Sequence, residues 1–297
     1  MKEIGGYIEL DTYTGAMLHE KAIALNCGRG ALEYLCEAKM IRKLYLPYFL
    51  CDSVPNLCKK INIKYEFYHI SEALEPVFTK EIGANEWLYI VNFYGQLSNE
   101  YLKTWKQRYD RVIVDNAQSY FQMPVDGLDM LYTCRKYFGV ADGAFLYTDA
   151  KLDRELPQDE SFERMHFLLG RYERSANEFY SEYVLNNKLF ATEPVKRMSR
   201  LTENLLHGID YDAVAKRRQE NFEFLEEEFR DIKELNLKGV YGAFMYPLLV
   251  QNGTEIRKTL QKERPDFKFT INLQLDLLTD KKFRTWLIKE VGNSGVT

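Results

Sequence analysis

Short apolar runs alternate with amphipathic stretches between residues 27 and 148, and this alternation constrains the fold more than any other feature. The runs are rich in aromatic and β-branched residues, as strands are. They are KLYLPYF (43–49), IKYEFYHI (63–70), WLYIVNFYG (87–95), RVIVDNA (111–117), LDMLYTC (128–134) and GAFLYTD (143–149). The stretches typical of helices are RGALEYLCEAKM (29–40), DSVPNLCKK (52–60) and NEYLKTWKQRY (99–109). This order predicts an α/β fold, with a mostly parallel sheet covered by helices on both faces.

The pattern changes after residue 149, so we predict a large α/β domain at 1–150 and a smaller α+β unit at 151–297. ESFERMHFLLGRYERSANEFYSEYVL (160–185) and DYDAVAKRRQENFEFLEEEFRDI (210–232) have the apolar spacing of long helices. VYGAFMYPLLVQNG (240–253) is typical of a strand that ends in a turn, and TEIRKTLQKE (254–263) of a capped helix. No linker rich in Pro, Gly or Ser separates the two units, so we expect them to pack together.

Charge and composition exclude several classes of function. The net charge is -4 with acids and bases mixed along the chain, which provides no basic stripe for nucleic acid. The sequence contains neither a signal peptide nor an apolar run long enough to span a membrane, so we expect a cytoplasmic protein. The five cysteines include no CxxC pair and the four histidines no HExxH motif, so we expect no metal site.

Polar and glycine residues follow several of the predicted strands, where ligands of open α/β sheets bind. Gly28, Arg29 and Gly30 precede a helix, and could bind a phosphate through backbone N–H groups and a guanidinium, or form a plain turn. Asp115 follows RVIV, and could cap a helix or pair with a cationic ring nitrogen.

Two more strand ends carry candidate residues. Lys136 follows LDMLYTC, and could be a solvated surface group or an amine nucleophile beside Arg135. Asn92 lies in VNFYGQ (91–96), on the rim where Asp115 is expected, although packing alone would explain the aromatic residues there.

These features occur in the order of a pyridoxal phosphate site in fold-type I enzymes, and the chain resembles the DegT-type (DegT/DnrJ/StrS) sugar aminotransferases. The resemblance is carried by GGYIELD (5–11), NCGRGALEYL (26–35), VDNAQSYF (114–121), RKYFGVADGAFLYT (135–148) and GIDYDAVAKRRQENFEFL (208–225). It implies a mostly parallel sheet of the seven-stranded type and a small C-terminal domain, which we expect to be shortened here. It also implies a homodimer that transfers an amino group from an amino acid such as glutamate to a nucleotide-linked keto sugar, for surface polysaccharide or related sugar synthesis.

The resemblance assigns a role to each candidate. Lys136 matches the lysine that binds pyridoxal 5'-phosphate covalently and moves the proton between the substrate and cofactor carbons. Asp115 matches the carboxylate that pairs with the pyridinium nitrogen, and Gln118 the residue near the ring hydroxyl. Arg29 and Gly30 match the phosphate loop. The other residues predicted to bind the cofactor are Gly28, Tyr48, Cys51, Asn92 and Thr133, of which Tyr48 and Cys51 are candidates for stacking on the ring.

Departures from the family pattern leave two alternative functions open. Leu131 stands where the family has a phosphate-binding serine, with Thr133 the nearest hydroxyl, and Val195 replaces an asparagine that reaches across the dimer. A catalytically silent binding or scaffold protein is therefore one alternative. A sugar dehydratase with the same cofactor is the other, although dehydrating members of the family tend to have histidine in place of the lysine.

Overall fold

The strands form one sheet, which explains the apolar runs of the sequence. The computed structural model describes residues 6–249 together with 254–255, 258 and 262. Its strands are β1 (Ile23–Leu25), β2 (Lys43–Pro47), β3 (Lys64–Ile70), β4 (Pro76–Val77), β5 (Glu86–Val91), β6 (Val112–Asp115), β7 (Asp129–Thr133) and β8 (Ala144–Tyr147). The spatial order is β1-β8-β7-β6-β5-β2-β3-β4. The strands β7, β6, β5, β2 and β3 pair in parallel, whereas β8 and β4 pair antiparallel with their neighbours. The predicted mostly parallel sheet is confirmed.

Helices cover both faces of the sheet, as the sequence predicts. They are α1 (Gly28–Ala38), α2 (Ser53–Lys60), α3 (Asn99–Tyr109), α4 (His166–Glu173), α5 (Tyr180–Leu189), α6 (Arg200–His207) and α7 (Tyr211–Glu228). Side chains of α1 and α2 join the core on one face, and those of α3, α6 and α7 join the core on the other. Strands β6 and β7 are buried along their whole length because both of their faces are covered.

Two sequence predictions need correction. The predicted helix at 160–185 is divided into α4 and α5, because Phe179 folds back onto Gly170, where a Cβ atom would stand only 2.2 Å from its ring. The strand predicted over 240–253 is not formed in residues 240–249, where Gly242 turns the chain at φ +64 against Phe121. Residues 250–253 and most of the helix predicted at 254–263 lie outside the described residues, and the described positions 254, 255, 258 and 262 are helical. The sequence did not predict β1, β4 or α6.

His19 is buried in the core, where its ring packs against Tyr120, Tyr132 and Phe145. Its Nε2 lies 2.8 Å from the Tyr120 carbonyl oxygen and its Nδ1 lies 3.1 Å from the Tyr147 hydroxyl. Burial lowers the pKa of His19 from 6.5 to about 4, because the protonated ring loses its hydration. The folded protein therefore holds this ring neutral, and protonation favours the unfolded chain.

We expect the free energy of unfolding to decrease by about 3 kcal/mol because of His19 alone as the pH falls from 6.5 to 4. The stabilisation is complete above the unfolded pKa and is lost towards the lower folded pKa. Urea unfolding across this range should show a weaker pH dependence in His19→Gln than in the wild type. His166→Gln, at an exposed position, is the control. Equal pH dependence in His19→Gln and the wild type would contradict the assignment.

Candidate active site

The candidate residues lie along one edge of the sheet, the carboxyl edge, where β1, β2, β5, β6 and β7 end. Asp115 ends β6 and pairs in register with Val91 of β5 and Leu131 of β7. Thr133 ends β7 opposite Ala144, which also pairs with the last residue of β1. The loops that carry Gly28, Asn92 and Lys136 therefore leave the sheet at the same edge, as the sequence predicts.

The carboxylate of Asp115 is fixed by two hydrogen bonds. Its Oδ2 accepts from the Tyr89 hydroxyl at 2.6 Å, and its Oδ1 accepts from the Ala117 N–H at 2.8 Å. Burial, and then the neighbouring carboxylate, raise the pKa of Tyr89, so the phenol stays protonated and donates. No helix begins between β6 and β7. The capping alternative for Asp115 is therefore wrong, and the carboxylate instead holds a turn while keeping lone pairs for a further donor.

Lys136 lies in the turn between β7 and β8 and is exposed. The turn is closed by hydrogen bonds from the Tyr137 and Phe138 N–H groups to the Cys134 carbonyl, each 2.9 Å long. The Lys136 ammonium lies 5.2 Å from the centre of the Phe244 ring. Lys136 forms neither a hydrogen bond nor an ion pair with the described residues, so its amine is available to a ligand.

A segment of the C-terminal half, residues 238–245, crosses the carboxyl edge and places Phe244 over Lys136. Gln96 holds one end of the segment through two hydrogen bonds. Its Oε1 accepts from the Lys238 N–H at 2.7 Å, and its Nε2 donates to the Lys238 carbonyl at 3.2 Å. Arg218 of α7 holds the other end by donating to the Phe244 carbonyl at 3.1 Å and to the Tyr137 carbonyl at 3.2 Å. The lysine turn, α7 and this segment are thus joined through one guanidinium.

Gly28 and Gly30 begin α1, whose N-terminal N–H groups face the carboxyl edge. The Cys27 thiol caps the helix by accepting from the Gly30 N–H at 3.3 Å, and burial raises the pKa of this thiol, so it stays uncharged. Gly30 cannot be replaced without a shift, because a Cβ atom there would lie 2.8 Å from Asn26 Oδ1. The first turn of α1 contains no acidic residue, so its positive dipole is uncompensated.

Arg29 and Arg135 are brought together beside this helix end. Both donate to Asn187 of α5, Arg29 to its carbonyl oxygen at 2.8 Å and Arg135 to its side-chain oxygen. Burial lowers the pKa of Arg135, and the charge of Arg29 lowers it further. These two arginines and the start of α1 supply the positive charge that a phosphate group needs.

Asn92 and Gln118 hold the loops at the edge. The Asn92 amide nitrogen lies within hydrogen-bond distance of the Leu97 carbonyl and of oxygens on Asn116 and Gln122, and its oxygen accepts from the Leu97 N–H at 2.9 Å. The side chain of Asn92 is fully buried, and its hydrogen bonds are made to other parts of the protein. Gln118 Oε1 accepts from the Tyr94 N–H at 3.0 Å, which leaves its amide nitrogen for a ligand.

The two candidates for stacking on the ring point in different directions. Tyr48 stacks on Phe67 at 5.0 Å and on His69 at 4.7 Å, both on β3, which lies on the side of β2 away from β5 and Asp115. Cys51 follows β2 in the loop before α2, and its Sγ is 2.9 Å from Ser53 Oγ. The geometry places Tyr48 away from Asp115, which leaves Cys51 as the remaining candidate for stacking on the ring.

The departures from the family pattern are core residues. Leu131 is 1% exposed and packs on the α1 face of the sheet, where a Cβ atom on Gly28 would lie 3.9 Å from its side chain. Thr133 shares this face because side chains alternate along a strand. Val195 is fully buried in the same core.

Several residues of the site were not predicted as such. They are Asn26, Tyr89, Arg218 and Phe244. No local sequence pattern distinguishes them from ordinary core or surface residues. Tyr89 lies on the same face of β5 as Trp87 and Val91, because every second side chain of a strand points to the same face. Val91 pairs with Asp115 in the sheet, so Tyr89 is on the face where a partner for Asp115 is expected. Within the described residues, no cluster of side chains could hold a metal ion, and no helix is long and apolar enough to cross a membrane.

Comparison with known proteins identifies relatives by structure and not by sequence. No protein-family model matches the chain, and no curated protein matches it. The PMP form of Spr1654 from Streptococcus pneumoniae, described as a sugar aminotransferase, superposes with a TM-score of 0.56 at 12% identity, covering 93% of this chain and 81% of its own. The sugar aminotransferase CalS13 from Micromonospora echinospora superposes with a TM-score of 0.53 at 14% identity, covering 82% and 71%.

A dehydratase has a similar structure. The E. coli GDP-4-keto-6-deoxy-D-mannose-3-dehydratase with bound hydrated PLP superposes with a TM-score of 0.52 at 12% identity, covering 82% of this chain and 71% of its own. At such identities the similarity concerns the path of the chain and not the reaction. The chain therefore has the fold-type I architecture of these sugar aminotransferases and of this dehydratase.

Proposed function

We propose that the chain is a pyridoxal 5'-phosphate-dependent aminotransferase of DegT type, which transfers an amino group from glutamate to a nucleotide-linked keto sugar. The observation that carries the proposal is that an anchored carboxylate and an available amine lie at the ends of two neighbouring strands. Asp115 ends β6 and is fixed by Tyr89 and Ala117, while Lys136 follows the neighbouring strand β7. These are the groups that a pyridinium ring and an imine carbon require.

The residues present fit the cofactor at both of its ends. Asp115 would hold the ring nitrogen, and the start of α1 with Arg29 would hold the phosphate. When bound, the cofactor supplies an electron sink that stabilises negative charge on the carbon bearing the amine. Asp115 would favour a proton on the ring nitrogen, because a nearby negative charge favours a cationic partner.

Lys136 would hold the cofactor through Nζ and would move a proton with the same atom. The turn bonded to Cys134 fixes the backbone of the lysine, while Phe244 covers its ammonium without accepting its protons. Gln118 would donate from its amide nitrogen to the ring hydroxyl of the cofactor. Residues 238–245 cross this edge of the sheet and would limit the access of water to the bound cofactor.

A two-step assay tests the function. Protein loaded with cofactor should change its absorbance spectrum when glutamate is added, with release of 2-oxoglutarate, and should recover the spectrum when a keto sugar nucleotide follows. Loaded protein that does not respond to glutamate would favour the silent binding alternative. Loss of water from the sugar without consumption of glutamate would favour the dehydratase. Protein that takes up no added cofactor would contradict the proposal and the dehydratase alternative alike.

We also propose a homodimer, because α4, α5 and the residues next to them expose many apolar side chains. The exposed fractions are 65% for Phe162, 63% for Leu169, 93% for Tyr172, 44% for Tyr180, 44% for Tyr183 and 64% for Leu185. Exposed apolar side chains in this number are typical of a subunit interface.

Light scattering should give twice the mass of one chain, and Leu169→Glu with Tyr172→Glu should give a monomer. Phe224→Glu, on α7 and 63% exposed, is the control and should stay dimeric. A monomeric wild type at working concentration would contradict the proposed dimer.

A further inference from the structure

Arg218 of α7 contacts both parts of the chain that surround the Lys136 amine. Its Nη2 donates to the carbonyl of Tyr137, the residue after Lys136, at 3.2 Å. Its Nη1 donates to the carbonyl of Phe244 at 3.1 Å, and the Phe244 ring has its centre 5.2 Å from Lys136 Nζ. One planar guanidinium therefore fixes the turn that bears the lysine and the residue over the lysine relative to each other.

Aromatic packing strengthens this connection. The Arg218 guanidinium lies 4.7 Å from the centre of the Tyr137 ring, and that centre lies 5.6 Å from the centre of the Phe244 ring. The Tyr137 hydroxyl accepts from the Tyr120 N–H at 3.2 Å, so this ring is held through its hydroxyl as well as through its face. The lysine turn can thus move relative to Phe244 only if these contacts break.

Residues 238–245 depend on other parts of the chain for their position, because they belong to neither a helix nor a strand. Within the described residues, two side chains form hydrogen bonds to their backbone. Gln96 bonds to Lys238 at one end, and Arg218 bonds to the carbonyl oxygens of Ala243 and Phe244 at the other. The hydrogen bonds that hold the end bearing Phe244 therefore come from Arg218.

No Asp or Glu of the described residues forms an ion pair with Arg218, whose donors meet carbonyl oxygens and whose face meets an aromatic ring. Burial lowers the pKa of Arg218, because the cation loses part of its hydration. Arg217, the preceding residue of α7, is exposed and pairs with Glu220 at 3.6 Å. A half-buried cation without a counter-ion is costly to hold, which favours a role in positioning over a role in stability.

We propose that Arg218 is a positioning residue, which acts on the Lys136 amine through Phe244. It holds the Phe244 ring where the ring contacts the ammonium, so the amine rests in one place at the carboxyl edge of the sheet. The value of that place for amino transfer rests on the proposed function, whereas the arrangement of the three residues does not. Arg218 fulfils this role without touching the cofactor or the substrate.

Competitive labelling of the cofactor-free protein with acetic anhydride, read by peptide mass spectrometry, measures how readily each lysine amine reacts. We expect Phe244→Leu and Arg218→Met each to raise the labelling rate of Lys136 about two- to fivefold, which corresponds to the loss of one exposed cation–π contact. Lys151, measured in the same digest, should react at an unchanged rate. Arg217→Met is the matched control on α7, and its Lys136 should be labelled as in the wild type.

A double variant separates positioning from a general structural role. If Arg218 acts through Phe244, Arg218→Met combined with Phe244→Leu should be labelled at the rate of Phe244→Leu alone, because the ring that Arg218 holds is already absent. Effects of the two substitutions that multiply would overturn the proposal. Unchanged labelling of Lys136 in Arg218→Met would also overturn it. An equal rise at Lys136 and Lys151, with a lower unfolding temperature, would assign Arg218 to structure and overturn it as well.

Protein loaded with pyridoxal 5'-phosphate provides a second readout. Arg218→Met should still attach the cofactor, and its rate of amino transfer at saturating glutamate should fall about tenfold, with a KM for glutamate within about threefold of the wild type. A fall in rate that Phe244→Leu does not reproduce would overturn the proposal. The expected labelling pattern in a protein that takes up no cofactor would support the positioning of the amine and contradict the proposed function.

Discussion

Asp115→Asn is expected to bind pyridoxal 5'-phosphate and to lower the rate of amino transfer about 10²- to 10³-fold. Asparagine keeps the shape of the side chain and can still accept from the Ala117 N–H, so the loop should stay in place. It carries no negative charge, however, and the proton on the ring nitrogen is no longer favoured. Single-turnover absorbance measurements with glutamate would provide the rate.

Two variants separate the charge of Asp115 from its position. Tyr89→Phe removes the 2.6 Å hydrogen bond and leaves the charge, so we expect a loss of about tenfold or less. Asp126→Asn makes the same change in an exposed turn before β7, at the opposite edge of the sheet, and should have no effect. If Asp115→Asn transfers the amino group as fast as the wild type, the carboxylate serves only to hold the turn.

Lys136→Ala is expected to abolish the covalent attachment of the cofactor and to lower amino transfer at least about 10⁴-fold, since one amine both binds the cofactor and moves the proton. The charge of the lysine is separable from its chemistry. Lys136→Arg keeps a cation over the Phe244 ring but cannot form an imine, and should be as inactive as the alanine variant.

Lys151→Ala is the matched control, because Lys151 is also exposed and lies just beyond β8. It should retain the rate and the absorbance of the wild type. Amino transfer by Lys136→Ala at a rate near that of the wild type would show that another residue carries the chemistry.

The sheet could be predicted from sequence because its central strands are buried on both faces. Strands β5, β6 and β7 lie in continuous apolar runs, which can be recognised in the local sequence without knowledge of the strands that pair with them. The short strands β1 and β4 were missed since they contain only three and two residues and exist through their pairing with β8 and β3. The division between α4 and α5 depends on a tertiary contact between Phe179 and Gly170, which helical periodicity does not contain.

The candidate site, like the sheet, could be predicted only where local sequence patterns indicate it. Asp115 and Lys136 became candidates because strand ends meet at one edge of an α/β sheet, and the resemblance to the DegT-type sugar aminotransferases gave them their predicted roles. Tyr89 precedes Asp115 by 26 positions in a strand of core residues, and only the register of β5 and β6 shows that its hydroxyl reaches the carboxylate. Phe244 and Asn187 belong to distant segments, and their places over Lys136 and beside Arg135 follow from chain packing that no local pattern encodes.

The most direct test of the account is to identify the atom that binds the cofactor. The protein would be loaded with pyridoxal 5'-phosphate, reduced with borohydride, digested and analysed by peptide mass spectrometry. The account predicts one stoichiometric adduct, on the peptide that contains Lys136, and none on the peptide that contains Lys151. A cofactor fixed to a different lysine, or loaded protein with no adduct after reduction, would contradict it.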